Sequence, residues 1–96
     1  MENINFELDY SLLSAVKLRA NGVNSFAQLR EVFEDEDSVF ELLNEGKYPI
    51  LSIIGFTGQS IPLKIAFSLV EVTVVFLDAK LASKREIIEG FCKYCR

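Results

Sequence analysis

The chain has 96 residues, half of them apolar and a quarter charged, with only two prolines. That suffices for one hydrophobic core and is too little for two, and it excludes a disordered, collagenous or low-complexity chain. Histidine and tryptophan are absent and the formal net charge is −4, so the commonest proton shuttle and the commonest zinc ligand are both missing, and with them most catalytic arrangements.

Residues 3–10 alternate, with Ile4, Phe6, Leu8 and Tyr10 on one side and Asn3, Asn5, Glu7 and Asp9 on the other, the period of a half-buried strand. From Ser11 the period lengthens: Leu12, Leu13, Val16 and Ala20 recur at helical spacing, and Asn21-Gly22 offers a left-handed stop. Ser25 stands three residues before Gln28, and Ser38 three before Glu41. Both are capping-box spacings, and they predict helices over 26–34 and 38–45, the second ending near Gly46. After Tyr48-Pro49, the apolar run to Phe56 predicts a buried strand over 49–56, with Thr57 to Ser60 as its turn.

Ile61, Leu63, Ile65, Phe67 and Leu69 then share one face, after which the apolar parity passes to Val72, Val74 and Phe76. A one-residue slip of this kind predicts a bulge or sharp bend between Ser68 and Glu71 inside one strand over 61–78. Two consecutive strands are the alternative; the lack of Gly, Asn or Asp at the change favours the bend. Ser83 and Glu86 repeat the capping-box spacing, and Ile87, Ile88, Phe91, Cys92 and Cys95 give a last helix its apolar face. The expectation is a single α+β domain over 1–96. Its antiparallel or mixed sheet of three or four strands is covered on one face by about four helices, in the order β-α-α-α-β-β(-β)-α.

Charge is uneven. Residues 1–46 hold ten acids and three bases, whereas residues 47–96 hold four acids and seven bases. Glu31, Glu34, Asp35, Glu36, Asp37, Glu41 and Glu45 form a run with no base among them. A solvated corner between helices accounts for such a run, with Asp35 to Asp37 near a helix start where negative charge is favoured. The run also makes a field that attracts a basic partner and repels a nucleic-acid backbone. Val32, Phe33, Val39, Phe40, Leu42 and Leu43 interrupt it; most are expected in the core, with Phe33 or Phe40 as a surface anchor ringed by carboxylates. The alternating ligands and central glycine of an EF-hand are missing from Glu34 to Glu45, so no metal is expected.

Other motifs carry little. Cys92-Lys93-Tyr94-Cys95 matches the spacing of a redox dithiol, but it falls at a helix end, where the dipole opposes a thiolate, and further zinc ligands are lacking. Leu18 to Leu29 has the cadence of two helices around a glycine turn, yet the candidate recognition helix, Phe26 to Glu34, carries Arg30 as its only base and acids follow. Gly55-Phe56-Thr57-Gly58-Gln59-Ser60 lacks the lysine of a phosphate loop. Ser83 beside Lys84 is better explained as a cap than as a nucleophile pair. Lys64 and Glu71 break the apolar region from Tyr48 to Leu77 before it reaches a membrane span.

The expectation is therefore a cofactor-free, non-enzymatic protein-binding module. It has the physical type of an immunity protein, antitoxin or phage inhibitor, neutralising a basic, nucleic-acid-processing protein through the acidic face. Direct contact with nucleic acid or membrane is not expected, and the polar, acidic start points to the cytoplasm. The competing expectation is an assembly subunit that forms a homodimer through a sheet edge left free between Ile61 and Leu77.

Overall fold

Leu63, Ile65 and Phe67 are fully buried in the middle of a five-stranded sheet, since side chains two apart on a strand share a face. The computed structural model describes residues 7–92. Its elements run β1 (Glu7–Asp9), α1 (Ala15–Ala20), α2 (Phe26–Glu34), β2 (Val39–Asn44), β3 (Ile50–Phe56), β4 (Pro62–Val70), β5 (Thr73–Leu81) and α3 (Lys84–Cys92). The spatial order is β1-β5-β4-β3-β2. Strands β2 to β5 form an antiparallel meander, and β1 joins parallel to β5 with Glu7 opposite Thr73. No helix among the described residues is long and apolar enough to cross a membrane.

One face of the sheet is dry. Ile53, Leu63, Ile65, Phe67, Val74, Phe76 and Ala79 meet Leu18, Val23, Leu29 and Val32 from α1, α2 and the turn between them. Full burial of a large aliphatic or aromatic side chain contributes about 1.5–3 kcal/mol, so this layer is the main favourable term in folding. Rings extend it toward both edges. Tyr10 stacks between Phe26 and Phe76, with centroids 5.1 Å away in each case. Phe33 meets Phe67 and Phe76 edge-on at 5.8 and 6.4 Å.

The opposite face belongs to α3. Lys64 and Lys80 are cross-strand partners on that face, and both reach Glu86 Oε2, at 3.2 and 3.3 Å. Glu86 also closes a capping box: its Oε1 accepts from Ser83 N at 2.9 Å while Ser83 Oγ accepts from Glu86 N at 3.1 Å. A Cβ on Gly90 would stand 3.0 Å from Ile54 Cδ1, so the missing side chain lets α3 lie close to β3.

Several expectations change. Residues 38–45 are not a helix; Ser38 leads into β2, which pairs with β3 from Val39 opposite Ile54 to Asn44 opposite Ile50. The single bent strand over 61–78 is instead the hairpin β4–β5, turning at Glu71 and Val72, and Glu71 itself takes the positive φ of 58°. A register shift does occur, but later: Ala66 faces Asp78 and Phe67 faces Phe76, leaving Leu77 as the extra residue. Among the described residues there are three helices rather than about four, and they lie on both faces. The order is β-α-α-β-β-β-β-α. Within the strand expected over 3–10, residues 3–6 lie outside the described residues.

Two outcomes follow. Gly22 sits at φ 89°, and a Cβ there would meet Leu81 Cγ at 2.5 Å. Gly22→Ala should therefore lower the unfolding free energy by about 1–2 kcal/mol in urea titrations. The Glu86 carboxyl is lowered from 4.5 to about 2, first by the Ser83 backbone N–H and then by Lys64 and Lys80, against the opposing effect of burial. A depressed carboxyl stabilises the fold above its unfolded pKa, and that contribution disappears as pH falls from 4.5 toward 2. Glu86→Gln keeps a cap acceptor but loses the charge. It should cost about 0.5–1 kcal/mol at neutral pH, with the difference from wild type vanishing across that acid window.

Candidate functional site

The acidic run begins on α2, and the end of that helix is fixed by a close approach. Val32 is buried in the core, and a Cβ on Gly55 of β3 would lie 3.1 Å from Val32 Cγ1, 3.1 Å from Asp35 Oδ2 and 3.0 Å from Ser38 Cβ. With no side chain at that point, the chain leaving α2 crosses β3 at near contact distance and drops into β2 at the sheet edge. The segment 35–38 is thus a helix-to-strand connection, and the corner between helices that the sequence suggested is absent.

The seven carboxylates divide by what holds them. Asp35 is the C-cap of α2; its Oδ2 accepts from Phe56 N at 2.9 Å and its Oδ1 from Asp37 N at 3.0 Å. Glu31 Oε1 accepts from Gly58 N at 2.9 Å in the β3–β4 turn. These two acids tie α2 to the hairpin tip, so part of the run is structural. Glu34 pairs with Arg30 at 3.2 Å along the helix, an exposed i,i+4 pair of small energetic weight. Glu36, Asp37 and Glu45 are exposed, and Glu41 projects from β2.

The apolar residues within the run divide too. Phe33 turns inward, half-buried between Phe67 and Phe76. Phe40 lies edge-on to Phe33 at 6.2 Å and to Phe67 at 6.1 Å, yet is 43% exposed, so it forms the rim of the core and part of the surface at once. Leu42 and Leu43, expected in the core, are 49% and 52% exposed, and Tyr48 just beyond β2 is 55% exposed with Lys47 Nζ 5.6 Å from its ring centroid. Apolar residues at 39, 40, 42 and 43 fall on one side of a helical wheel with Ser38, Glu41, Asn44 and Glu45 opposite, so their spacing suits an amphipathic helix and carries no signal that Leu42 and Leu43 are exposed.

β2 occupies an edge of the sheet, and among the described residues no strand pairs with its outer side. The region therefore combines an open strand edge, exposed aliphatic side chains and outward carboxylates. Elsewhere, a groove of about 200 Å³ between α1 and α2 is lined by Ala15, Leu18, Val23, Asn24, Ser25 and Phe26, none of them titratable. Among the described residues no group of three His, Cys, Asp or Glu converges in a way that would hold a metal ion. Cys92 ends α3 and Cys95 lies outside the described residues.

Asp35→Ala should destabilise the fold by about 1–2 kcal/mol, since it orphans two backbone donors served by a charged acceptor. Glu36→Ala should stay within about 0.5 kcal/mol of wild type. Equal effects of the two in denaturant titration would remove the distinction between structural and outward acids. No protein-family model matches the chain, and no curated protein shows significant similarity to it.

Proposed function

We propose that this chain is a small protein-binding module that engages a basic protein partner through β2 and the acidic connection leading into it, acting as a stoichiometric inhibitor. The observation that supports this reading is the setting of Leu42, Leu43 and Phe40, exposed on an open strand edge, among Glu36, Asp37, Glu41 and Glu45 with no base between residues 31 and 45. Exposed apolar anchors supply affinity by excluding water, and the surrounding carboxylates supply steering and the choice of partner. Asp35 and Glu31 hold the surface in place and are not free to move toward a ligand.

Once a basic partner is isolated and purified, the triple variant Glu36→Lys, Asp37→Lys and Glu45→Lys tests the reading, because none of these side chains carries a fold-holding contact described above. Its association rate should fall by about tenfold at low salt, and the wild-type rate should fall toward that of the variant as salt rises. Binding whose rate is unchanged by both the variant and salt would mean that another surface makes the contact.

A further inference from the structure

The structure places a bare strand edge and a set of outward carboxylates on the same six residues and their flanks, and the two features together specify more than either alone. β2 runs Val39–Asn44 with regular pairing to β3 from Val39 to Leu42, then a register shift between Leu42 and Asn44. Its outer backbone groups have no strand opposite them among the described residues. Protein edges of this kind are usually blunted by charged side chains, proline, a bulge or a covering element; here the register shift after Leu42 interrupts the end of β2 and leaves Val39 to Leu42 regular. Between 39 and 44 there is neither lysine nor proline, and the side chains are mostly exposed.

Two kinds of occupant fit a bare edge: a second copy of the chain or an extended segment of another protein. The charges separate them. A two-fold pairing of β2 with itself, centred on Glu41, sets the two Glu41 carboxylates directly opposite, which is unfavourable. Other registers still bring together two runs over 31–45 that contain seven acids and no base. An extended basic segment meets the reverse situation. Its backbone completes the ladder, one side-chain row lies over Phe40 and Leu42, and its cations face Glu36, Asp37, Glu41 and Glu45.

We infer that the partner binds by strand addition, contributing an extended segment of alternating basic and apolar residues that pairs along Val39 to Leu42 as a sixth strand. This rests on the basic-partner reading above and specifies its mode. Main-chain pairing would give the affinity, and the alternation of side chains the specificity.

The test uses the intact chain and three synthetic peptides: an alternating Lys-Val heptapeptide, the same peptide with proline at each valine, and the same peptide with glutamate at each lysine. At peptide concentrations about ten times the dissociation constant, the Lys-Val peptide should slow amide exchange of residues within 39–42 about tenfold, as a ligand that binds only the closed form does. The proline and glutamate peptides should leave exchange there unchanged. Shifts at Glu36, Asp37 and Glu45 from both the valine and proline peptides, without protection on β2, would overturn strand addition while leaving the basic-partner reading standing. No shift in this region from any cationic peptide at low salt would count against both. Protection of β2 that grows with protein concentration alone would assign the edge to a second copy and overturn the inference.

Discussion

The approach of the end of α2 to Gly55 is the contact on which the arrangement depends. A helix can lie that near a strand only where the strand offers bare backbone, and here the space that a methyl group would fill is taken by Val32, Asp35 and Ser38. Three consequences come from that one contact. Val32 reaches the core, the Asp35 carboxylate comes within range of the Phe56 N–H, and Ser38 starts β2 at the height where it can pair with β3. The hydrophobic layer and the acidic surface are thus built by the same few residues, and the surface cannot shift without disturbing the layer.

This explains why the carboxylates are not equivalent. A charged acceptor that satisfies backbone donors is held in a single geometry, as Asp35 and Glu31 are. Exposed acids such as Glu36, Asp37 and Glu45 instead contribute mainly to the long-range field, which is screened over about 8 Å at physiological ionic strength. On the far face of the sheet the same division appears with opposite neighbours. Glu86 lies between Lys64 and Lys80 and fastens α3, so the bases of the C-terminal half are partly consumed in holding the helix.

Much of the fold was legible where pattern and propensity agreed. The five-fold alternation from Ile61 to Leu69 marked the sheet centre, α2 matched its expected bounds, and Asn21-Gly22 marked the stop of α1. Val39–Asn44 reads as helix in the sequence because Glu and Leu favour helix, Ser38 and Glu41 imitate a capping box, and the register shift after Leu42 hides the period of two. Tertiary pairing with β3 overrode those local preferences. The β4–β5 turn corresponds to the alternative of two consecutive strands, and the pattern favours the bend only because the positive φ is carried by glutamate, where glycine or asparagine would announce a turn. Of the candidate surface, the carboxylates were visible as a run, but the roles of Asp35 and Glu31 were not, since their partners lie on a hairpin far along the chain. The apolar alternation between Ile61 and Leu77 suggests a free strand edge, but it supplies β4 and the start of β5, which are interior strands of the sheet.

The parallel pairing of β1 with β5 sets an order of assembly. Strands β3, β4 and β5 are joined by short turns, so each pairing closes a small loop and costs little chain entropy. β1 meets β5 only across nearly the whole described chain, Glu7 lying opposite Thr73 with its N–H on Val72 O. It can gain those hydrogen bonds only after the meander has presented an edge to receive them. Loop-closure entropy therefore favours the β3–β4 and β4–β5 hairpins over the long-range β1–β5 pairing as the earlier contacts.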